Sequence, residues 1–195
     1  MTVDVMIDLE TIGQTVNSGI LTIGAIKFDR HQDFSRMEFK DMGDLLAKTG
    51  SKSFYCRVDV KSLEEEEFDW GQDTMDWWGR QSTKARHEAF DALPRIHIGD
   101  ALQRLHKWID KDDIPWSHGS DYDLILLKTA WERYEKNVPW LFWNARCTRT
   151  LYDVCGLTKD DIKARRSTNH HHALADCWDQ LLMVQECYRK LKDAV

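Results

Sequence analysis

The chain is short of the residues that mark several classes of protein. Its 195 residues include 3 prolines and 10 glycines, with no Ser/Gly or Pro-rich tract. No linker divides it, and a single domain over residues 1–195 is expected. Paired cysteine motifs are lacking as well. The five cysteines (Cys56, Cys147, Cys155, Cys177 and Cys187) form no CxxC pair, which argues against a disulfide framework and against a zinc knuckle. They read as reduced thiols packing as small hydrophobes in a cytoplasm. No apolar run approaches the ~18 residues needed to cross a bilayer. The opening MTVDVMIDLE puts acids where a secretory signal carries its basic and apolar stretches. A cytoplasmic protein without membrane association is therefore expected. Basic charge is also lacking: 27 Lys and Arg stand against 33 Asp and Glu, a net charge of -6. That balance excludes a protein that holds nucleic acid by bulk charge alone, but not an enzyme whose acids gather around a metal.

What is present is a 42% hydrophobic content, enough for a packed core and too much for a disordered chain. Val3 to Asp8 alternates as a strand, and Gly13 and Asn17-Ser18-Gly19 mark turns. Ile20 to Asp29 reads as a second strand and Phe54 to Val60 as a third, an antiparallel opening. From Thr74 the period lengthens. Asp73-Thr74 can cap a short helix through Met75, Trp77 and Trp78, and Ile98 to Ile109 carries a helical apolar stripe. Pro115 to Gly119 reads as a short strand ending in a turn, Leu124 to Tyr134 as a helix, and Ala173 to Lys192 as the last helix. Strands first, then strands alternating with helices, predict an α/β fold: a mixed sheet flanked by helices.

Three short segments carry chemistry. Asp8 and Glu10 stand two apart on a strand, on one face and roughly 6.6 Å apart by rise, where carboxylates can converge on hard cations. Asp121-Tyr122-Asp123 follows Ser117-His118-Gly119 at a strand-to-helix turn, so one acid can cap the helix while the other reaches outward. Asn169 to Asp176 (NHHHALAD) leads into the final helix with Asp176 one turn inside it. Its histidines have no cysteine or acid at the usual zinc spacing, and one beside a reacting water could serve as general base. Taken singly, each segment also has an ordinary reading: acids at a strand end, a helix cap, a polar loop.

In this order, D-x-E, aromatic-Asp and H-x4-D resemble the DEDDh 3′–5′ exonucleases on an RNase H-like fold. The matching residues are Asp8, Glu10, Asp123 and the pair His171/Asp176, with HHALAD mirroring the family's H-x-A-x-x-D. TMDWWGRQSTKAR, WSHGSDYDLILL and RCTRTL add local likeness, most of all to the compact phage exonuclease A type within that family. The likeness runs from Ile7 to about Leu182. Where the family commonly has Asn before Gly, this chain has His118-Gly119, which touches a supporting contact only.

The resemblance implies a fold of antiparallel opening strands followed by parallel ones, and a metal-dependent 3′–5′ exonuclease. It would release nucleoside 5′-monophosphates from the 3′ ends of single-stranded nucleic acid, DNA in preference to RNA. Asp8, Glu10, Asp123 and Asp176 would hold two Mg²⁺ or Mn²⁺ ions, Asp8 bridging them, and His171 would take the proton from water. Arg146, Arg149, Lys163, Arg165 and Arg166 form a basic cluster that could hold phosphates. Of the adjacent Trp77 and Trp78, Trp78 is expected to stack on a base. A phage-encoded chain of this kind would act in the host cytoplasm. Two other readings stand beside it: an exoribonuclease, and an accessory proofreading subunit bound to a polymerase. The chain ends about nineteen residues after Asp176, which leaves little room for a tail that would dock such a partner.

Overall fold

The computed structural model describes residues 3–37, 40–165 and 171–193. Five strands form one sheet: β1 (Asp4–Thr11), β2 (Ile20–Phe28), β3 (Ser53–Arg57), β4 (Ile114–Ser117) and β5 (Arg146–Cys147). Their order across the sheet is β3-β2-β1-β4-β5. β1 runs antiparallel to β2 and β2 to β3, whereas β1–β4 and β4–β5 are parallel. The mixed sheet and its sense changes are those expected from the sequence.

Strand alternation divides the interior in two. Val5, Ile7 and Leu9 point to a core completed by α5 (Ile98–Trp108) and α6 (Asp123–Arg133), with Trp131 at its centre. Met6, Ile26 and Phe28 point the other way, onto Trp178 and Leu181 of α9 (Ala173–Asp193). Asp8 and Glu10 share the Met6 face, so the acids of β1 lie on the side that α9 covers. Among the described residues no helix is long and apolar enough to cross a membrane.

Several boundaries differ from the sequence reading. The third strand stops at Arg57, because Asp59 accepts from the Lys61 N–H and caps α2 (Val60–Glu65). The short tryptophan helix, α3 (Gln72–Gly79), takes Gly71 rather than Asp73 or Thr74 as its N-cap. The sequence reading had no counterpart for α1 (Met42–Thr49), β5, α7 (Thr148–Val154) or α8 (Lys159–Ala164). α4 (Thr83–Arg86), which runs into a π-helical turn over His87–Asp91, was likewise unforeseen.

Gly24, opposite Asp8 in the β1–β2 register, fixes how closely α9 approaches the sheet. A Cβ there would lie 2.5 Å from the Ala173 carbonyl carbon and 2.6 Å from the Leu174 nitrogen. Cys177, one turn on, donates its thiol to the Gly24 carbonyl at 3.3 Å. Gly24→Ala is expected to destabilise the protein by about 1–3 kcal/mol through overpacking against backbone. Gly79→Ala, which meets nothing within 4 Å, should be neutral or stabilise by up to ~1 kcal/mol. Urea unfolding of the two variants checks the contrast.

Candidate active site

The carboxyl end of β1 opens into a cleft of about 410 Å³ lined by Asp8, Glu10, Asp123, His171 and Asp176, with Trp77, Arg149 and Gln180 around them. Three features of the chain create it. β4 pairs with β1 only over Asp4–Met6, so the far half of β1 is open on that side. A register shift between Glu10 and Thr11 bends the end of the strand, as bulges beside sites often do. His171, two residues ahead of α9, forms part of the cleft wall.

Three of the four acids have support of their own. Asp8 accepts from Gln180 Nε2 at 2.8 Å. Asp123 is the first residue of α6, and the N-cap position falls on Tyr122, not on either acid expected to cap this turn; Tyr122 makes no side-chain cap. The backbone N–H groups of Leu9 and of Asp123 itself favour the charged form of the Asp123 carboxyl. Tyr122 braces the turn by donating its hydroxyl to the Gly13 carbonyl at 2.7 Å. Asp176 accepts from the His171 N–H at 3.1 Å. That contact pulls the loop into a turn in which His171 takes a φ of 62°, a left-handed conformation that non-glycine residues adopt rarely.

The charges are crowded. Burial is the main cause that raises the Asp8 carboxyl well above its ordinary value, followed by the nearby Asp176, Asp123 and Glu10, while Gln180 works the other way. Glu10 is raised well above its ordinary value by burial, then by Asp176 and Asp123. Asp123 is pushed up to about 7 by burial, against the opposing pull of its backbone donors and of Arg149. Such shifts mean that the fold holds these groups together against their own repulsion. One oxygen each of Glu10 and Asp176 and a ring nitrogen of His171 lie within 4.8 Å of one another. Oxygen donors in this number, with one imidazole and no thiolate, match the preference of hard divalent cations.

The histidine run separates by position. His171 lines the cleft with its ring edge-on to Trp77 at 4.6 Å. His172 turns away, stacks on Tyr55 at 4.6 Å and lies 3.8 Å from Glu88. Burial lowers its pKa. His170 lies outside the described residues.

The expected substrate contacts fare unevenly. Arg149, in the first turn of α7, lines the cleft. Gly119, at a φ of 111°, leaves room for it: a Cβ there would sit 3.0 Å from Arg149 Nη1. His118, the departure in the second motif, shares a 3.0 Å hydrogen bond with Thr148 Oγ1.

Trp78, expected to stack on a base, is 2% exposed and donates its indole N–H to the Thr11 carbonyl at 2.9 Å; Trp77, not Trp78, lines the cleft. Arg165 does not line the cleft: its Nε and Nη2 donate to Glu186, each at 3.0 Å, and its Nη1 to the Asp161 carbonyl at 2.9 Å. Arg146 donates to the Trp143 and Ala145 carbonyls and does not line the cleft. Arg166 lies outside the described residues. The sequence reading overlooked Gln180 and Asp179, although positions three and four after Asp176 on a helix share its face.

Comparisons with known proteins agree with this geometry. An exodeoxyribonuclease of Enterobacteria phage T4 is 22% identical over 95% of this chain and 89% of its own. E. coli exonuclease I in complex with a dT13 oligonucleotide matches with a TM-score of 0.64 at 11% identity, over all of this chain and 42% of that one. This chain thus spans less than half of exonuclease I. S. pombe Pop2p in its Mg²⁺- and Mn²⁺-bound form matches with a TM-score of 0.61 at 12% identity, over 98% of this chain and 85% of that one. The family profile described as the 3′–5′ exoribonuclease Rv2179c-like domain matches residues 3–188. The chain belongs to that family, within the DEDDh 3′–5′ exonucleases of RNase H-like fold.

Proposed function

We propose that this exonuclease, acting as a single domain in the cytoplasm, removes nucleoside 5′-monophosphates from the 3′ ends of single-stranded DNA. The observation that carries the reading is the convergence of four carboxylates from β1, α6 and α9 on one cleft beside His171. The likeness to the T4 exodeoxyribonuclease over most of both chains and to an oligonucleotide-bound exonuclease I favours DNA. RNA is the second reading, because the family itself is described by an exoribonuclease domain.

Asp8, Glu10, Asp123 and Asp176 would hold two divalent cations, Mg²⁺ or Mn²⁺. Bound there, the cations would stabilise the attacking and leaving oxygens of an in-line phosphoryl displacement. His171 accepts the proton of the attacking water. Trp77 offers a ring on which a terminal base stacks, a contact worth about 1–3 kcal/mol. Arg149 supplies a guanidinium for a phosphate.

A 5′-labelled single strand should shorten as a ladder from its 3′ end with Mg²⁺ or Mn²⁺ and stay intact in EDTA. Activity that persists with metals verified absent would sink the carboxylate reading. Matched DNA and RNA strands decide between the two substrates. His171→Ala should slow turnover ~10²–10⁴-fold while Mn²⁺ affinity, read by titration calorimetry, stays close to that of the parent. If the metal is lost with the imidazole, His171 is a ligand rather than a base.

A further prediction follows from the titration of Asp123. Below about pH 3, under its ordinary value of 3.8, the group is mostly protonated in both folded and unfolded chains and contributes little. Between its ordinary 3.8 and about 7, the unfolded chain gives up the proton first. The cation-free protein therefore loses stability as pH rises through that window. In EDTA, Asp123→Asn should stabilise the protein at pH 8 by an amount on the order of a few kcal/mol, read as a higher thermal midpoint, and change that midpoint little near pH 3. A variant less stable than the parent at pH 8 would contradict the assignment.

A further inference from the structure

Gln180 has no part in the mechanism above, yet its side chain reaches the centre of the site. It lies one helical turn beyond Asp176 on α9 and is 8% exposed. Its Nε2 donates to Asp8 Oδ1 at 2.8 Å. This bond fixes which way the amide faces, because the flipped amide would set two oxygens against each other. The remaining Oε1 is buried and has no hydrogen-bond partner among the described residues. The backbone is fixed as well: the Gln180 carbonyl accepts from the hydroxyl of Tyr152 at 3.1 Å, and Tyr152 is itself 1% exposed.

A buried acceptor without a donor is unusual in a folded protein. An apolar side chain of the same length would fill the space between α9 and β1 without leaving one. The amide is therefore poorly explained by packing. It is well explained by Asp8, whose other neighbours in the cleft are the carboxylates of Glu10, Asp123 and Asp176. A neutral donor can orient a carboxylate in such company without displacing a cation, which a Lys or Arg at the same place would do by its own charge.

From this we infer that Gln180 is a positioning residue for Asp8. It holds one carboxylate oxygen and the side-chain rotamer, and so leaves the other oxygen presented for a cation. The inference rests on the reading of Asp8 as a cation ligand. Groups that orient metal ligands typically change metal affinity 10–100-fold when removed.

The test uses the full chain and Mn²⁺ alone as probe, with no nucleic acid present. Gln180→Met keeps the length and removes both polar atoms. Its Mn²⁺ affinity should fall 10–100-fold, while the thermal midpoint in EDTA stays equal to that of the parent or rises. A variant that binds Mn²⁺ like the parent overturns the inference. So does one whose affinity falls together with its thermal midpoint, since that is the mark of a purely structural residue. Asp8→Asn is run beside it. If Asp8→Asn loses Mn²⁺ and Gln180→Met does not, the inference about Gln180 fails alone. If Asp8→Asn also binds Mn²⁺ normally, the ligand role of Asp8 fails and takes the inference with it.

Discussion

Helix α9 touches β2 where a side chain is missing, and the cleft depends on that contact. With backbone of Ala173 and Leu174 seated over Gly24, the first turns of the helix lie within reach of β1. Asp176 and Gln180 then fall beside Asp8, and Cys177 reaches back to the Gly24 carbonyl. Helix–sheet packing with ordinary side chains between the layers would hold these groups several ångströms farther away. The carboxylates would then be solvated neighbours instead of a single charged cluster.

That proximity has an electrostatic cost which the rest of the fold offsets. Burial and mutual repulsion raise Asp8, Glu10 and Asp123 together. The opposing contributions are local and identifiable: the amide of Gln180, the backbone N–H groups at Asp123, and Arg149. The two hydrophobic cores on either side of the sheet supply the general stability that lets such a cluster persist. A cation entering the cleft would relieve the repulsion directly, so binding and folding free energy are linked in this protein.

The sequence disclosed some parts of this and concealed others for physical reasons. β1, β2 and α9 are long and periodic, and their acids sit at spacings that a strand and a helix convert into shared faces. Asp8, Glu10, Asp123, His171 and Asp176 were legible through the likeness of their order to the DEDDh motifs, and the fold brings all five to one cleft. β5 has two residues and α7 seven, too few for a period to show. Trp77 and Trp78 differ only in helical phase, which is set by the distant Thr11 carbonyl that takes the Trp78 indole. Arg165 looked like a phosphate ligand because its partner, Glu186, lies 21 residues away in sequence. Gln180 is uncharged and sits among apolar residues, so nothing in composition drew notice to it; its meaning comes from a contact 172 residues distant.

The left-handed backbone at His171 also constrains how this position can drift over generations. β-branched residues are close to excluded by sterics, whereas Gly, Asn and Asp adopt the conformation with little penalty. A lineage released from selection on hydrolysis would therefore lose the imidazole first to one of those three. The backbone turn that feeds Asp176 would survive the change. Such a descendant would keep the acidic pocket without the imidazole beside it, and would persist as a binding protein built on the architecture of a nuclease.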